Sequence, residues 1–166
     1  LEWLRRLGEV TGDTVSAERA VAAEQADFAA AIAKGRETLA GTRTVFCVGR
    51  LAQYFRPEEL FFLLGELGVE LLGVQLFDCY QSEEREQILA RVRRFTAAPL
   101  LEGEELEKAV TAADYVLTTH ELLRPDVRQV YLPFLSSAGW KSEGDIMRAM
   151  QRVMRRQLSR GGLIYA

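Results

Sequence analysis

The sequence predicts an α/β domain of the Rossmann-like type, with three layers (α/β/α) and a mostly parallel sheet. Continuous apolar runs of strand length alternate with helical patterns along the 166 residues, and the connections between them are short. Parallel strands joined in this way need right-handed crossovers, which place helices on both faces of the sheet. Because a long helix precedes the first strand, we expect residues 1–41 to form an N-terminal helical arm and residues 42–166 the Rossmann-like domain.

The long helix is predicted over residues 14–40, because this stretch is rich in alanine and contains no proline. Ser16 or Thr14 is expected to cap the helix, and Gly41 to end it. The preceding "LEWLRRLGEVTGD" starts inside an amphipathic pattern at Leu1. We therefore expect the chain to be a fragment of a longer protein.

The other elements follow from hydrophobic periodicity and from the residues at their ends. Strands are predicted at "RTVFCVG" (43–49), "VELLGVQLF" (69–77), "DYVLTT" (114–119) and "RQVYLPF" (128–134). Helices are predicted over 57–68, 82–95, 104–113 and 143–158. The tail "GGLIYA" either pairs with the sheet or is left unpaired.

Composition excludes several classes of function. The chain is 48% hydrophobic and 27% charged with a net charge of −3, which gives no electrostatic footprint for nucleic acid. No stretch approaches the roughly 18 apolar residues of a membrane span. Two cysteines, Cys47 and Cys79, are too few for a disulfide framework or a self-contained iron–sulfur site. We expect a cytoplasmic protein with neither nucleic acid nor membrane as a partner.

Polar and permissive residues follow each predicted strand. Because ligands of open parallel sheets bind outside the carboxyl ends of the strands, these residues are expected to share one ligand-binding edge. The residues are Gly49 and Arg50 after the first strand, Asp78 and Cys79 after the second, Thr118, Thr119 and His120 after the third, and Ser136 and Ser137 after the fourth. The candidate cofactor-binding set is Gly49, Arg50, Asp78, Cys79, His120 and Ser136, and no catalytic or metal-ligating residue is assigned.

Each candidate also has a simpler interpretation. Cys47 lies within a strand, where an inert core thiol is the favoured interpretation. His120 can decorate the next turn, and Arg50 can form a surface ion pair as readily as it binds an anion. The single glycine of "CVGRLAQYF" differs from G-x-G-x-x-G, and no phosphate-binding loop is present, which counts against a nucleotide-binding or nucleotide-sugar domain.

The order of the segments resembles the C-terminal Rossmann-like part of nitrogenase component-one-type oxidoreductases, which include protochlorophyllide reductases. "LAGTRTVFCVGR" is similar to the family's "L-x-G-K-R-V" strand and glycine turn, and "LFFLLGELGVELLGVQ" to its helix followed by "E-x-G-x-E-V-V-G". "LEGEELEKAVTAADYVLTT" resembles "D-x-x-E-x-x-x-x-I-x-x-x-x-P-D-L-x-I". "VYLPFLSSAGWKSEGDIMRAMQRVMR" is similar to the final strand end, loop and helix. The resemblance covers residues 4–156.

The resemblance implies a domain that helps to enclose a metallocluster or a reducible substrate, with Gly49 and Arg50 matching the glycine–arginine turn that faces the cofactor in nitrogenase. It implies a homologous subunit and an ATP-dependent iron–sulfur reductase as partners. The loop after Pro133 contains Ser136 where nitrogenase has a cofactor histidine, so that ligand does not carry over. The family's cluster cysteines belong to an N-terminal part, so the isolated chain is expected to bind no cluster and to be inactive, while the parent protein holds an iron–sulfur or related metallocluster.

A second class of function fits the same residues. A Rossmann-like ligand-binding module or cofactor-assembly scaffold would use the same edge of the sheet without any redox role. Several cysteines encoded upstream of Leu1 would favour the oxidoreductase over this alternative.

Overall fold

The computed structural model describes residues 1–49, 57–77, 82–119, 122–124, 126–132, 140–155 and 163–165. The described residues form a five-stranded sheet in the order β2-β1-β3-β4-β5, in which every neighbouring pair is parallel. The strands are β1 (Arg43–Val48), β2 (Glu70–Leu76), β3 (Tyr115–Thr118), β4 (Gln129–Tyr131) and β5 (Leu163–Tyr165). This architecture confirms the predicted α/β Rossmann-like fold.

Six helices are present in the described residues. They are α1 (Glu2–Thr11), α2 (Thr14–Leu39), α3 (Pro57–Leu67), α4 (Ser82–Val92), α5 (Gly103–Ala112) and α6 (Trp140–Arg155). Gly41 and Gly68 follow α2 and α3 with positive φ angles of 76° and 71°. Gly41 is the predicted stop of the long helix, and Gly68 ends α3 in the same conformation. No helix of the described residues is long and apolar enough to cross a membrane.

The chain divides into two compact units, residues 1–34 and residues 35–166. In the first unit, Gly8 of α1 lies so close to Ala17 of α2 that a side chain at position 8 would collide with it. The N-cap of α2 is Asp13, whose Oδ1 accepts the Ser16 amide hydrogen at 3.0 Å. The prediction of Ser16 or Thr14 as the cap was wrong, since the helix begins at Thr14 and the carboxylate one residue earlier takes the free amide.

The second unit buries both faces of its sheet. One face carries Val45, Cys47 and Val116, which pack with Val110 of α5 and with Leu101. Because side chains alternate along a strand, the neighbouring residues of β1 and β3 point to the opposite face. There the ring of Phe46 meets Phe61 of α3 edge-on, with centroids 6.0 Å apart.

The face of the sheet toward α6 contains a buried tyrosine. The Tyr115 hydroxyl donates to Sδ of Met150 at 3.3 Å, and burial raises the pKa of Tyr115 to about 12. Met150 and Met147 are both buried, as expected for methionines that pack in a core. One turn before the end of α2, Gly35 leaves room for Met147, and an added Cβ would lie 2.6 Å from Cδ2 of Leu67.

The outer edge of β2 is covered by the segment that leads to α5. The Val74 amide donates to the Pro99 carbonyl, and the Leu101 amide donates to the Val74 carbonyl, each at 2.9 Å. This pairing satisfies backbone groups that an open edge strand would expose. It also requires Gly73, because a Cβ there would collide with the Leu101 side chain and lie 2.9 Å from the Pro99 carbonyl oxygen.

The C-terminal part of the chain adds two findings to the sequence pattern. The final helix begins at Trp140 rather than near residue 143. The tail is paired, since β5 continues the sheet beyond β4 with Ile164 opposite Val130. The pairing resolves the choice that the sequence left open for "GGLIYA".

We expect Gly73→Ala to destabilise the protein by about 1–3 kcal/mol, because the added methyl group overpacks the contact with Leu101 and Pro99. The matched control is Gly65→Ala, at an exposed position of α3 where an added Cβ has no atom within 4 Å. That change removes a helix-interior glycine and should stabilise the protein by about 0.5–1 kcal/mol. Urea unfolding measures both, and equal effects of the two substitutions would contradict the account of the β2 edge.

Candidate functional site

The strand order defines a switch point between β1 and β3. The connection from β1 leads to β2 on one side of β1, while the connection from β2 returns across to β3 on the other side. In open parallel sheets, the two connections therefore diverge at the carboxyl ends of these strands, and ligands bind in the crevice between them. The candidate site is the carboxyl ends of β1 and β3.

A side-chain hydrogen bond joins these two strand ends. The Gly49 amide donates to Oγ1 of Thr119 at 2.7 Å, and both residues are buried. The Thr119 amide in turn donates to the Cys47 carbonyl at 3.2 Å. The β1–β3 ladder is thus extended beyond the last strand residues by one backbone bond and one side-chain bond.

The ends of β2 and β4 lie at the same edge. The Phe77 amide donates to the Val48 carbonyl at 3.2 Å, and the Leu132 amide donates to the Thr118 carbonyl at 2.8 Å. Four neighbouring strands therefore end in register at one edge of the sheet. The amides of the residues that directly follow these four strands all have partners within the sheet.

Gly49 is the one predicted site residue that the structure describes. It lies at the carboxyl end of β1, where the sequence placed it, and its amide hydrogen is directed at Thr119. Arg50, Asp78, Cys79, His120 and Ser136 lie outside the described residues.

The sequence placed Thr119 at the ligand-binding edge, after the third strand, but the candidate cofactor-binding set does not include it. Its bonding partner belongs to another strand, so the sequence alone did not show the bond. The sequence does show a threonine after one strand and a glycine after another. These two residues can be recognised as bonding partners only when it is known that β1 and β3 are neighbours in the sheet.

Cys47 is an inert core residue, as predicted. Its side chain is fully buried among Val45, Val116 and other apolar groups. Burial raises the pKa of the Cys47 thiol from 9.0 to about 12. A thiol in this state is a poor nucleophile and a poor metal ligand at neutral pH.

A positive charge reaches the end of β2 from α4. Nη1 of Arg85 donates to the Leu76 carbonyl at 3.4 Å, and its other terminal nitrogen pairs with Glu102. The pair fixes the guanidinium beside the strand end and balances its charge. Sequence reasoning missed Arg85, because nothing in the spacing of "SEEREQ" shows which strand end its side chain reaches.

The described residues contain no group of three or more His, Cys, Asp or Glu side chains that could hold a metal ion. The described part of the site consists of threonine hydroxyls and main-chain groups, with the Arg85 guanidinium beside the end of β2. Such groups bind and orient a ligand through hydrogen bonds.

The fold and the strand-end site define the class of this protein as a doubly wound α/β domain with a switch-point edge. No protein-family model matches the chain, and no curated protein is similar enough to count as a relative.

We expect Thr119→Val to destabilise the protein by about 1–3 kcal/mol, because it leaves the buried Gly49 amide without its acceptor. Thr111→Val is the matched control, since this exposed threonine on α5 bonds to the Glu107 carbonyl of its own helix. That control should change the free energy of unfolding by less than about 0.5 kcal/mol. Equal stability of the two variants in urea unfolding would show that the Gly49–Thr119 bond does not contribute to the free energy of unfolding.

In a Cys79→Ser variant, the remaining thiol of Cys47 should react with a disulfide reagent at pH 8 about a thousandfold more slowly in the folded chain than in guanidinium chloride. The reason is the rise in the pKa of Cys47 from 9.0 to about 12, together with burial. Stability should also fall as the pH rises above 9, since the unfolded thiol ionises there while the folded one keeps its proton. Rapid labelling of the folded variant at pH 8 would contradict the assignment of Cys47 to the core.

Proposed function

We propose that this chain is a domain of a nitrogenase-like oxidoreductase and helps to enclose a metallocluster or a reducible substrate at the carboxyl edge of its sheet. The observation that carries the proposal is the Gly49–Thr119 bond at the β1/β3 switch point. The segment resemblance assigns its cofactor-facing turn to the same glycine. The strand order and the segment resemblance therefore both point to Gly49 as part of a binding site.

The described residues are suited to form a wall of the binding site, which contacts the bound group, and not to supply ligands to iron. Cys47 is sealed in the apolar core with a raised pKa, so it is not available as a thiolate ligand. Thr119 and the strand-end backbone can orient a bound group and exclude water from it. A metallocluster bound against this wall would supply the electron transfer, while its ligands would come from other parts of the protein.

The partners belong to the proposal as well. A homologous subunit would complete the enclosure on the side of the ligand that faces away from this domain, and an ATP-dependent iron–sulfur reductase would deliver electrons. The protein would act in the cytoplasm.

The alternative function is a Rossmann-like ligand-binding module or a cofactor-assembly scaffold. It is favoured by the chemistry of the described edge, where hydroxyl, guanidinium and main-chain groups can hold a ligand but do not transfer electrons. The two functions share a binding site and differ in whether the complete protein carries a cluster.

The deciding experiment uses the complete gene product, purified without oxygen, and measures iron, acid-labile sulfide and the electron paramagnetic resonance spectrum after reduction. We expect a few iron atoms per chain and a cluster signal. Thr119→Val should change the line shape of that signal, since it alters the wall against the cluster, while the control Thr111→Val should leave it unchanged. The 166-residue chain alone should take up no stoichiometric iron on reconstitution.

A well-folded complete protein without iron would overturn the oxidoreductase proposal and favour the scaffold. Stoichiometric iron in the 166-residue chain alone would contradict the wall role, because the ligands would then lie within this domain.

A further inference from the structure

Helix α1 carries an apolar stripe on the side that faces solvent. The stripe consists of Trp3, Leu7 and Val10, which are 64%, 51% and 85% exposed. Their spacing of four and then three residues places them along a single side of the helix. A stripe of this kind normally packs against the protein's own core. In the described part of the chain, this one is open to solvent.

The contact of α1 with α2 uses the opposite side of the helix. Gly8 is the buried residue of α1, and a side chain there would collide with Ala17 of α2. Nε of Arg5 donates to Oε1 of Glu18 of α2 at 2.9 Å. At about 100° per residue, Gly8 and Arg5 lie about 100° to 160° around the helix from each member of the stripe. The α1–α2 contact therefore holds the helix in place and directs the stripe away from α2.

The charges of α1 are balanced within the chain. Arg5 pairs with Glu18 at 2.9 Å, and Arg6 pairs with Glu2 of its own helix at 3.5 Å. Both guanidinium groups of the helix thus have carboxylate partners, whereas binding to an anionic lipid surface uses clusters of basic side chains. The surface that complements the stripe is another uncharged, apolar one.

The stripe is complementary to a reversed copy of itself. In an antiparallel pair of α1 helices with Leu7 opposite Leu7, Trp3 of each copy lies opposite Val10 of the other. The large indole then meets the smallest side chain of the stripe at both ends, which keeps the two helices evenly separated. A parallel pair would place two indoles together at one end and two valines at the other. The antiparallel pair also opposes the two helix dipoles.

We propose that α1 is a self-association surface, through which two copies of this chain form an antiparallel helix pair with Leu7 on the twofold axis. Each copy uses the same residues, as in other twofold-symmetric dimers. The inference does not rest on the proposed function, because it concerns a different part of the chain and involves no ligand.

The size of the stripe sets the strength of the dimer. The three side chains together expose about 300 Å², if fully exposed side chains of these types contribute about 100–250 Å² each. With the residues that flank the stripe, two copies would remove roughly 800–1,000 Å² from water, which is at the lower limit for a specific interface. The dimer should therefore be weak, with a Kd of about 10–100 µM.

Sedimentation velocity of the 166-residue chain between about 5 and 500 µM tests the inference, because a weak dimer forms by mass action over this range. The original chain should shift from monomer to dimer. Leu7→Glu places two carboxylates against each other on the axis and should weaken the dimer at least about tenfold. The matched control is Leu123→Glu, which makes the same change at a leucine that is 91% exposed and lies outside the stripe. That control should dimerise as the original chain does.

Disulfide formation tests the antiparallel arrangement. In a Cys79→Ser background, Leu7→Cys should link two copies on mild oxidation, because a residue on the twofold axis faces itself. Val10→Cys should not link to itself, since it faces Trp3 of the other copy. Self-linking of both variants at equal rates would contradict the antiparallel pair.

A chain that stays monomeric at 500 µM, or a dimer that a folded Leu7→Glu variant leaves intact, would overturn the inference. A complete gene product that stays monomeric while the 166-residue chain dimerises would show that another segment covers the stripe, and would remove the second copy as its occupant. The iron content of the complete protein tests the proposed function separately, so either proposal can fail while the other stands.

Discussion

The parallel ladder between β1 and β3 is the interaction on which the rest of the structure depends. It sets Thr44 opposite Tyr115 and Cys47 opposite Thr118, so the two strands form the centre of the sheet. The core on each face follows from that register, since Val45 and Val116 face α5 while Phe46 and Tyr115 face the helices on the other side. The same register places the ends of β1 and β3 side by side, and the bond from Gly49 to Thr119 closes the ladder there.

The edge of the sheet is thus closed by a residue type that carries no strong signal by itself. A threonine in a strand is ordinary, and its branched side chain suits a sheet. At position 119 the hydroxyl takes over the role that a further strand residue would have had, by accepting the Gly49 amide hydrogen. The ladder can therefore end without leaving the buried Gly49 amide unpaired.

The elements of the fold are readable from the sequence because they are fixed locally. Apolar runs mark β1 and β3, and glycines with positive φ angles end α2 and α3 where the pattern placed the stops. The cap at Asp13 was missed because several neighbouring side chains can compete for one amide, and only the position of the first helical turn decides among them. The tail strand β5 is too short to carry a pattern of its own, and its pairing depends on the sheet already present.

The site is harder to predict from the sequence than the fold, because its residues come together only through the order of the strands in the sheet. The sequence placed Gly49 and Thr119 after separate strands at one edge of the sheet, but it did not show that the two residues are hydrogen-bonded across 70 positions of chain. Gly73 is an intermediate case, since a glycine within a strand indicates a close approach but does not say that Leu101 and Pro99 make it. Long-range pairing therefore limits what the sequence alone can show about this protein.

Hydrogen exchange of the Gly49 amide, followed residue by residue in the 166-residue chain, tests the central claim most directly. If the amide is bonded to Thr119 at the switch point, it should exchange as slowly as the amides of β1 itself, such as that of Val48. Exchange at the rate of an unstructured peptide, with the β1 amides still protected, would contradict the closed ladder on which the site depends.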